Sequence, residues 1–223
     1  MRILSGEAKG RVLKTRAGNG TRPTDARSRE MLFNILGASI IGARVLDLYA
    51  GSGSVGLEAL SRGAASCIFV EQNAAAVQAI RANVRVCGWG EKCQVWQNSI
   101  RSALRQLKDN PQRFDLIFAD PPFTRMEEVD DLSQRLDNLP QLLHNVGEES
   151  PALLVIQHHK RARPALPLHF HLMQERRAGE STLSFFELKA DIENEPEGSP
   201  STYEIEKNST PSGEGGSPST SYV

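Results

Sequence analysis

Cysteine is scarce in this chain: three residues, Cys67, Cys87 and Cys93, in 223. The number is odd and no CxxC pair occurs, which argues for reduced thiols and against a disulfide framework or a zinc knuckle. Long apolar runs are also missing. Nothing approaches the roughly 20 residues of a membrane helix, and the opening MRILSGEAKGR carries no apolar leader core. Metal-ligand clusters are absent too. His158, His159, His169 and His171 fall on or near expected strands without Cys or carboxylate partners at ligand spacing, so no metal is expected. These absences set the expectation of a cytoplasmic protein with no membrane or metal partner. With 39% hydrophobic and 24% charged residues the composition is that of an ordinary globular chain.

The formal net charge of −1 conceals an asymmetry. From Ala190 onward there are seven acids and one base, Lys207. Residues 1–189 therefore hold 25 bases and 20 acids, and residues 1–30 alone hold eight bases against three acids. A basic leading segment suits either a polyanionic partner or plain solvation.

Three regions are expected. Residues 1–20, with short apolar runs around a Gly/Lys-rich turn, read as a basic β-hairpin. Residues 21–190 form the main domain. It opens with a helix capped at Thr24 or Asp25 and burying Met31, Leu32, Ile35 and Leu36. Residues 191–223, rich in Ser, Pro, Gly and Glu, read as a disordered acidic tail. From Ala43 the main domain alternates: ARVLDLYAG, SCIFVEQN, KCQVWQNS, FDLIFADPPF and ALLVIQHH as strands, with helical stretches between the first four. A further helix is expected over 126–143, and a closing hairpin over LHFHLMQERRAG and STLSFFEL. The fold class is α/β: a mostly parallel, Rossmann-like sheet flanked by helices, with the hairpin supplying an antiparallel edge strand.

Candidate binding residues sit where the strands end. Asp47, Tyr49, Ala50, Gly51, Ser52 and Gly53 form the first strand-to-helix junction. Gly51 and Gly53 let backbone approach a ligand, and Gly56 lets the helix pack close to the strand. Glu71, followed by Gln72, ends the second strand about twenty residues on, where a carboxylate accepts ribose hydroxyls. Asn98 and Ser99 end the third strand, where an amide reads adenine or simply makes a turn. A nicotinamide dinucleotide fits the loop and Glu71. The acid at Asp47, four residues before the first glycine, fits S-adenosyl-L-methionine better, with its ammonium and sulfonium charges.

The fourth strand ends in Asp120-Pro121-Pro122-Phe123. The prolines fix φ and so aim the loop's carbonyls. The Asp120 carboxylate and the Pro121 carbonyl can accept both hydrogens of one amino group, while Phe123 stacks on the base that carries it. Two acceptors draw an aromatic amine toward tetrahedral geometry and free its lone pair for attack, so the chemistry reduces to positioning and electrostatics.

In this order, the glycine loop, Glu71 and the DPPF loop resemble those of a class I methyltransferase acting on exocyclic amines. RILSGEAKGRVLKT, TRPTDARSREMLFNIL and DLYAGSGSVGLEALSRGA resemble the bacterial 16S rRNA guanine-N2 methyltransferases, over roughly residues 2–188. That resemblance implies a seven-stranded sheet and methylation of one guanine N2, on 16S rRNA or a partly assembled small subunit, by a monomer. It implies that Asp120, Pro121, Pro122 and Phe123 hold the flipped base. It places Arg22 and Thr24 near the mouth of the site, with Lys9, Arg11, Arg27 and Arg29 as phosphate contacts. One position departs: the family usually has an acid where Asn98 stands. The competing readings are another amino-methylating enzyme, on DNA adenine or protein glutamine, and a non-catalytic RNA-binding assembly factor that keeps the fold.

Overall fold

The computed structural model describes residues 1–15, 26–122, 132, 135–136, 142–143, 152–161 and 169–189. The expected tail, Arg22, Thr24, Phe123 and most of the helix expected over 126–143 lie outside the described residues.

Seven strands form one sheet: β1 (Arg44–Leu48), β2 (Ser66–Val70), β3 (Cys93–Trp96), β4 (Leu116–Ala119), β5 (Leu153–His159), β6 (Phe170–Ala178) and β7 (Ser181–Leu188). Their order is β3-β2-β1-β4-β5-β7-β6. The first five pair in parallel, and β7 runs antiparallel between β5 and β6. This corrects one expectation. The antiparallel strand is internal, and the edge strand β6 runs in the direction of the parallel set. A short reversal at Glu180 cannot make a parallel crossover, so β7 must return beside β6, and the pair docks on β5 through β7.

The four described α-helices are α1 (Ala26–Leu36), α2 (Ser54–Ser61), α3 (Ala74–Cys87) and α4 (Ile100–Asp109). Alternation along the strands sorts side chains to the two faces of the sheet. Val45, Phe69, Phe118 and Phe185 pack with α1, α2 and α3. Leu46, Ile68, Ile117 and Phe186 pack with Leu104 and Leu107 of α4 and with Leu132 and Leu136. Local chemistry sets the helix ends. The Asn73 side chain accepts from the N–H groups of Ala75 and Ala76 at the start of α3, and Gly88, at φ 75°, ends it.

The basic leading segment is a reversal held by one antiparallel bridge, Arg2 to Val12. Its apolar residues Ile3, Ala8 and Leu13 are buried in the same core as α1 and α2.

Candidate active site

Register builds the site. Leu48, the last residue of β1, pairs with Val70 of β2 on one side and Ala119 of β4 on the other, and Val70 pairs with Trp96 of β3. Four strands therefore end abreast, about 4.8 Å apart. The residues that follow them, Tyr49, Glu71, Gln97 and Asp120, are brought to one rim, although they lie up to 71 positions apart in sequence.

Glu71 organises the glycine loop. Its Oε2 accepts the Gly51 N–H at 2.8 Å, and its Oε1 accepts the Asn73 N–H at 2.7 Å. Gly51 and Gly53 have φ of 55° and 79°, values that favour glycine. Tyr49 also has positive φ, 58°, a conformation that costs a non-glycine residue about 1–2 kcal/mol. Such strain is characteristic of binding sites. Gly56 lies over β2, where a Cβ would run into the Phe69 ring and the Cys67 sulfur.

Asp47 is 2% exposed, and its Oδ2 accepts the Gly56 N–H at 3.0 Å. Burial pushes its carboxyl up to about 7; the Gly56 N–H opposes that shift, and the charges of Asp120 and Glu71 add to it. Asp47 thus ties β1 to the start of α2 from beneath the loop.

Beside the loop opens a cleft of about 200 Å³. Glu71, Gln72 and Asn98 supply its polar wall, and Val70, Ile100 and Leu132 its apolar one. Tyr49, Arg101 and Arg135 complete it. Sequence reasoning named Tyr49, Glu71, Gln72 and Asn98 but missed the other five. Ile100 and Arg101 directly follow Asn98-Ser99 and were legible as its continuation. Leu132 and Arg135 come from a stretch whose helical pattern gave no sign of where it packs. Asn98 is half-buried, with Nδ2 3.5 Å from Gln106 Oε1. The Ser99 Oγ accepts the Ser102 N–H at 3.2 Å and caps α4, which accounts for that side chain without a ligand.

Asp120 is half-buried, Pro121 buried and Pro122 exposed. They leave β4 beside the start of the glycine loop.

The family model described as conserved hypothetical protein 95 matches residues 1–187. The ribosomal RNA small subunit methyltransferase D of Escherichia coli K12 is 34% identical over 198 residues, 87% of this chain and 93% of that protein. The chain belongs to this family. Among solved structures, the Escherichia coli protein yhhF matches with TM-score 0.71 at 30% identity, covering 85% of this chain and 98% of that one. A hypothetical protein of Thermus thermophilus matches at 0.69 and 34%, covering 84% and 99%. The resemblance drawn from the sequence motifs is borne out.

The sheet of this family member is that of the class I methyltransferases, whose cofactor is S-adenosylmethionine, and the rim fits that group. Each Glu71 oxygen accepts one N–H and keeps a second lone pair for a ribose hydroxyl. The apolar wall suits a purine face.

The leading segment of this family member is held by buried polar groups. The Glu58 carboxylate, 0% exposed, accepts the N–H groups of Leu4 and Ser5 at 2.7 and 2.9 Å and Nε of Arg62 at 2.9 Å. Arg29 requires a correction. It is 1% exposed, its Nη2 donates to the Arg2 carbonyl at 2.8 Å, and its Nε lies 3.7 Å from Glu58. It fastens α1 to the leading segment and presents no charge to a phosphate. The basic count of the first thirty residues could not separate a buried structural arginine from a solvated one. Lys9, Arg11 and Arg27 are exposed, and Arg11 donates through Nη1 to the Val86 carbonyl. Trp89 is buried with its Nε1 2.6 Å from Glu7 Oε1, so it packs and does not offer a stacking face. The His158 ring lies 2.8 Å from Ser184 Oγ across β5 and β7, and among the described residues no cluster of metal-ligating side chains occurs.

Proposed function

We propose that this protein transfers a methyl group from S-adenosylmethionine to the exocyclic N2 of a guanine in 16S rRNA during small-subunit assembly. The observation that carries the reading is the pairing of β1 with β4, which sets the Asp120-Pro121-Pro122 turn beside the glycine loop and Glu71. The rRNA substrate is supported by the small-subunit rRNA methyltransferase D, which matches over 87% of the chain.

The cofactor supplies an electrophilic methyl on a sulfonium. Glu71, Gln72 and Asn98 hold its nucleoside, and the loop from Asp47 to Gly53 shapes the space for its amino-acid end. Asp120 and the Pro121 carbonyl accept the two amine hydrogens, so the nitrogen lone pair turns toward the methyl. As the N–C bond forms, the sulfur–methyl bond breaks and releases S-adenosylhomocysteine, while the Asp120 carboxylate offsets the positive charge developing on nitrogen and takes up the proton the amine sheds. Phe123 lies against the flipped guanine. Arg22 and Thr24 meet the RNA near the mouth of the site, and Lys9, Arg11 and Arg27 contact its phosphates. The protein acts as a cytoplasmic monomer on 16S rRNA or a partly assembled subunit. Among the described residues no helix is long and apolar enough to cross a membrane.

The test is incubation of purified protein and labelled S-adenosylmethionine with under-methylated small subunits, with 16S rRNA and with DNA. Label on a guanine N2 in the first or second is expected. Label on DNA alone refutes the proposal.

A further inference from the structure

Asn83 lies within α3, 2% exposed, on a face otherwise buried through Ala76, Ile80 and Val84. A buried amide carries a desolvation cost that an apolar residue would avoid, so its hydrogen bonds must compensate. Oδ1 accepts the Lys14 N–H at 2.7 Å. Nδ2 donates to the Lys14 carbonyl at 2.9 Å and to the Ser52 carbonyl at 3.3 Å. The first two bonds hold Lys14 by both main-chain groups, as a neighbouring strand would. The third reaches the loop between Gly51 and Gly53, one residue from the N–H that Glu71 holds.

We propose that Asn83 is a positioning residue that couples the leading segment to the cofactor loop, so that RNA and cofactor each raise the protein's affinity for the other. The proposal rests on the reading given under Proposed function. Lys14 leads into residues 16–25, which contain Arg22 and Thr24. A ligand that binds the leading segment with Lys14 in its observed place favours the amide orientation that also holds Ser52, and hence the Gly51–Glu71 contact beside the cleft. All three bonds share one planar group, so turning the amide to suit one partner alters its fit to the others. Linkage makes the effect reciprocal.

The experiment uses the full chain, S-adenosylhomocysteine and a protein-free 16S rRNA transcript. RNA affinity is measured with and without saturating S-adenosylhomocysteine, and S-adenosylhomocysteine affinity with and without RNA. In the wild type each ligand tightens the other about fivefold or more, and by the same factor. Asn83→Asp keeps the size and Oδ1 but loses both donor bonds, and its coupling factor falls to about one. Lys14→Pro removes the N–H that Oδ1 accepts and also lowers the factor, with Lys14→Ala as the control for the lost charge, which keeps the proposal testable if Asn83→Asp does not fold. Variants that melt at lower temperature yet keep the wild-type factor overturn the proposal. Wild-type protein that binds both ligands without mutual effect overturns the coupling alone. Wild-type protein that binds neither overturns the functional reading, and the coupling with it.

Discussion

Gly51 gives its N–H to Oε2 of Glu71, at 2.8 Å, across the twenty residues that separate them. The glycine loop therefore takes its shape from the carboxylate expected to bind the ribose. One side chain builds the cradle and, in the function proposed above, also serves in it. Glu71→Ala removes both functions and should weaken S-adenosylhomocysteine binding by at least about tenfold, the worth of one charge-assisted hydrogen bond. Glu71→Gln keeps one acceptor and should lose less. Calorimetric titration of the two variants checks the order.

Asp120 lies outside the cleft lining and is assigned to the amine. Asp120→Ala should lower methyl transfer by at least about a hundredfold while leaving S-adenosylhomocysteine affinity within about twofold of the wild type. Single-turnover transfer and equilibrium binding on the same preparation separate the two. Full activity in the variant would remove the mechanism.

Gly56 is held against β2 more tightly than any side chain permits. Gly56→Ala drives a methyl group into the Phe69 ring and the Cys67 sulfur. Overpacking of this kind costs about 1–3 kcal/mol, so the melting temperature should fall by several degrees in a thermal scan.

Glu58 is the buried anchor of the leading segment. Glu58→Ala leaves two backbone N–H groups and two arginines without their acceptor, and should destabilise the protein by about 3–5 kcal/mol. Amide exchange at Leu4 and Ser5 should accelerate more than exchange in β1, because the loss is local before it is global. Equal acceleration at both places would refute the anchoring role.

Asp47 makes stability depend on pH. Burial raises its folded pKa to about 7, above the ordinary aspartate value. The folded state then holds a proton that the unfolded state has released. Asp47's contribution is fully present below about pH 4 and is lost as pH rises toward 7, by at most about 1.4 kcal/mol per pH unit. Asp47→Asn keeps an acceptor for Gly56 and removes the titration. The difference in stability between wild type and variant should change across pH 4–7 in urea titrations and be flat above about pH 8. A constant difference across that range would count against the buried acid.

The sequence alone determined the alternation of strands and helices from Ala43, the glycine loop, Glu71 at the end of β2 and the DPPF turn after β4. Each is local: periodicity, turn chemistry and a carboxylate at a strand end are written in consecutive residues. Tertiary structure decided what depends on pairing over distance. The place of β7 between β5 and β6 follows from which edge the closing hairpin docks on, and composition does not encode that. Arg29 reads as a surface base because charge is visible in sequence and burial is not. Its pairing with Glu58 exists only because α1, α2 and the leading segment meet. Asn83 is silent for the same reason. An asparagine inside a helix carries no signal of its own, and its three bonds join residues 31 and 69 positions away that only the folded chain brings together.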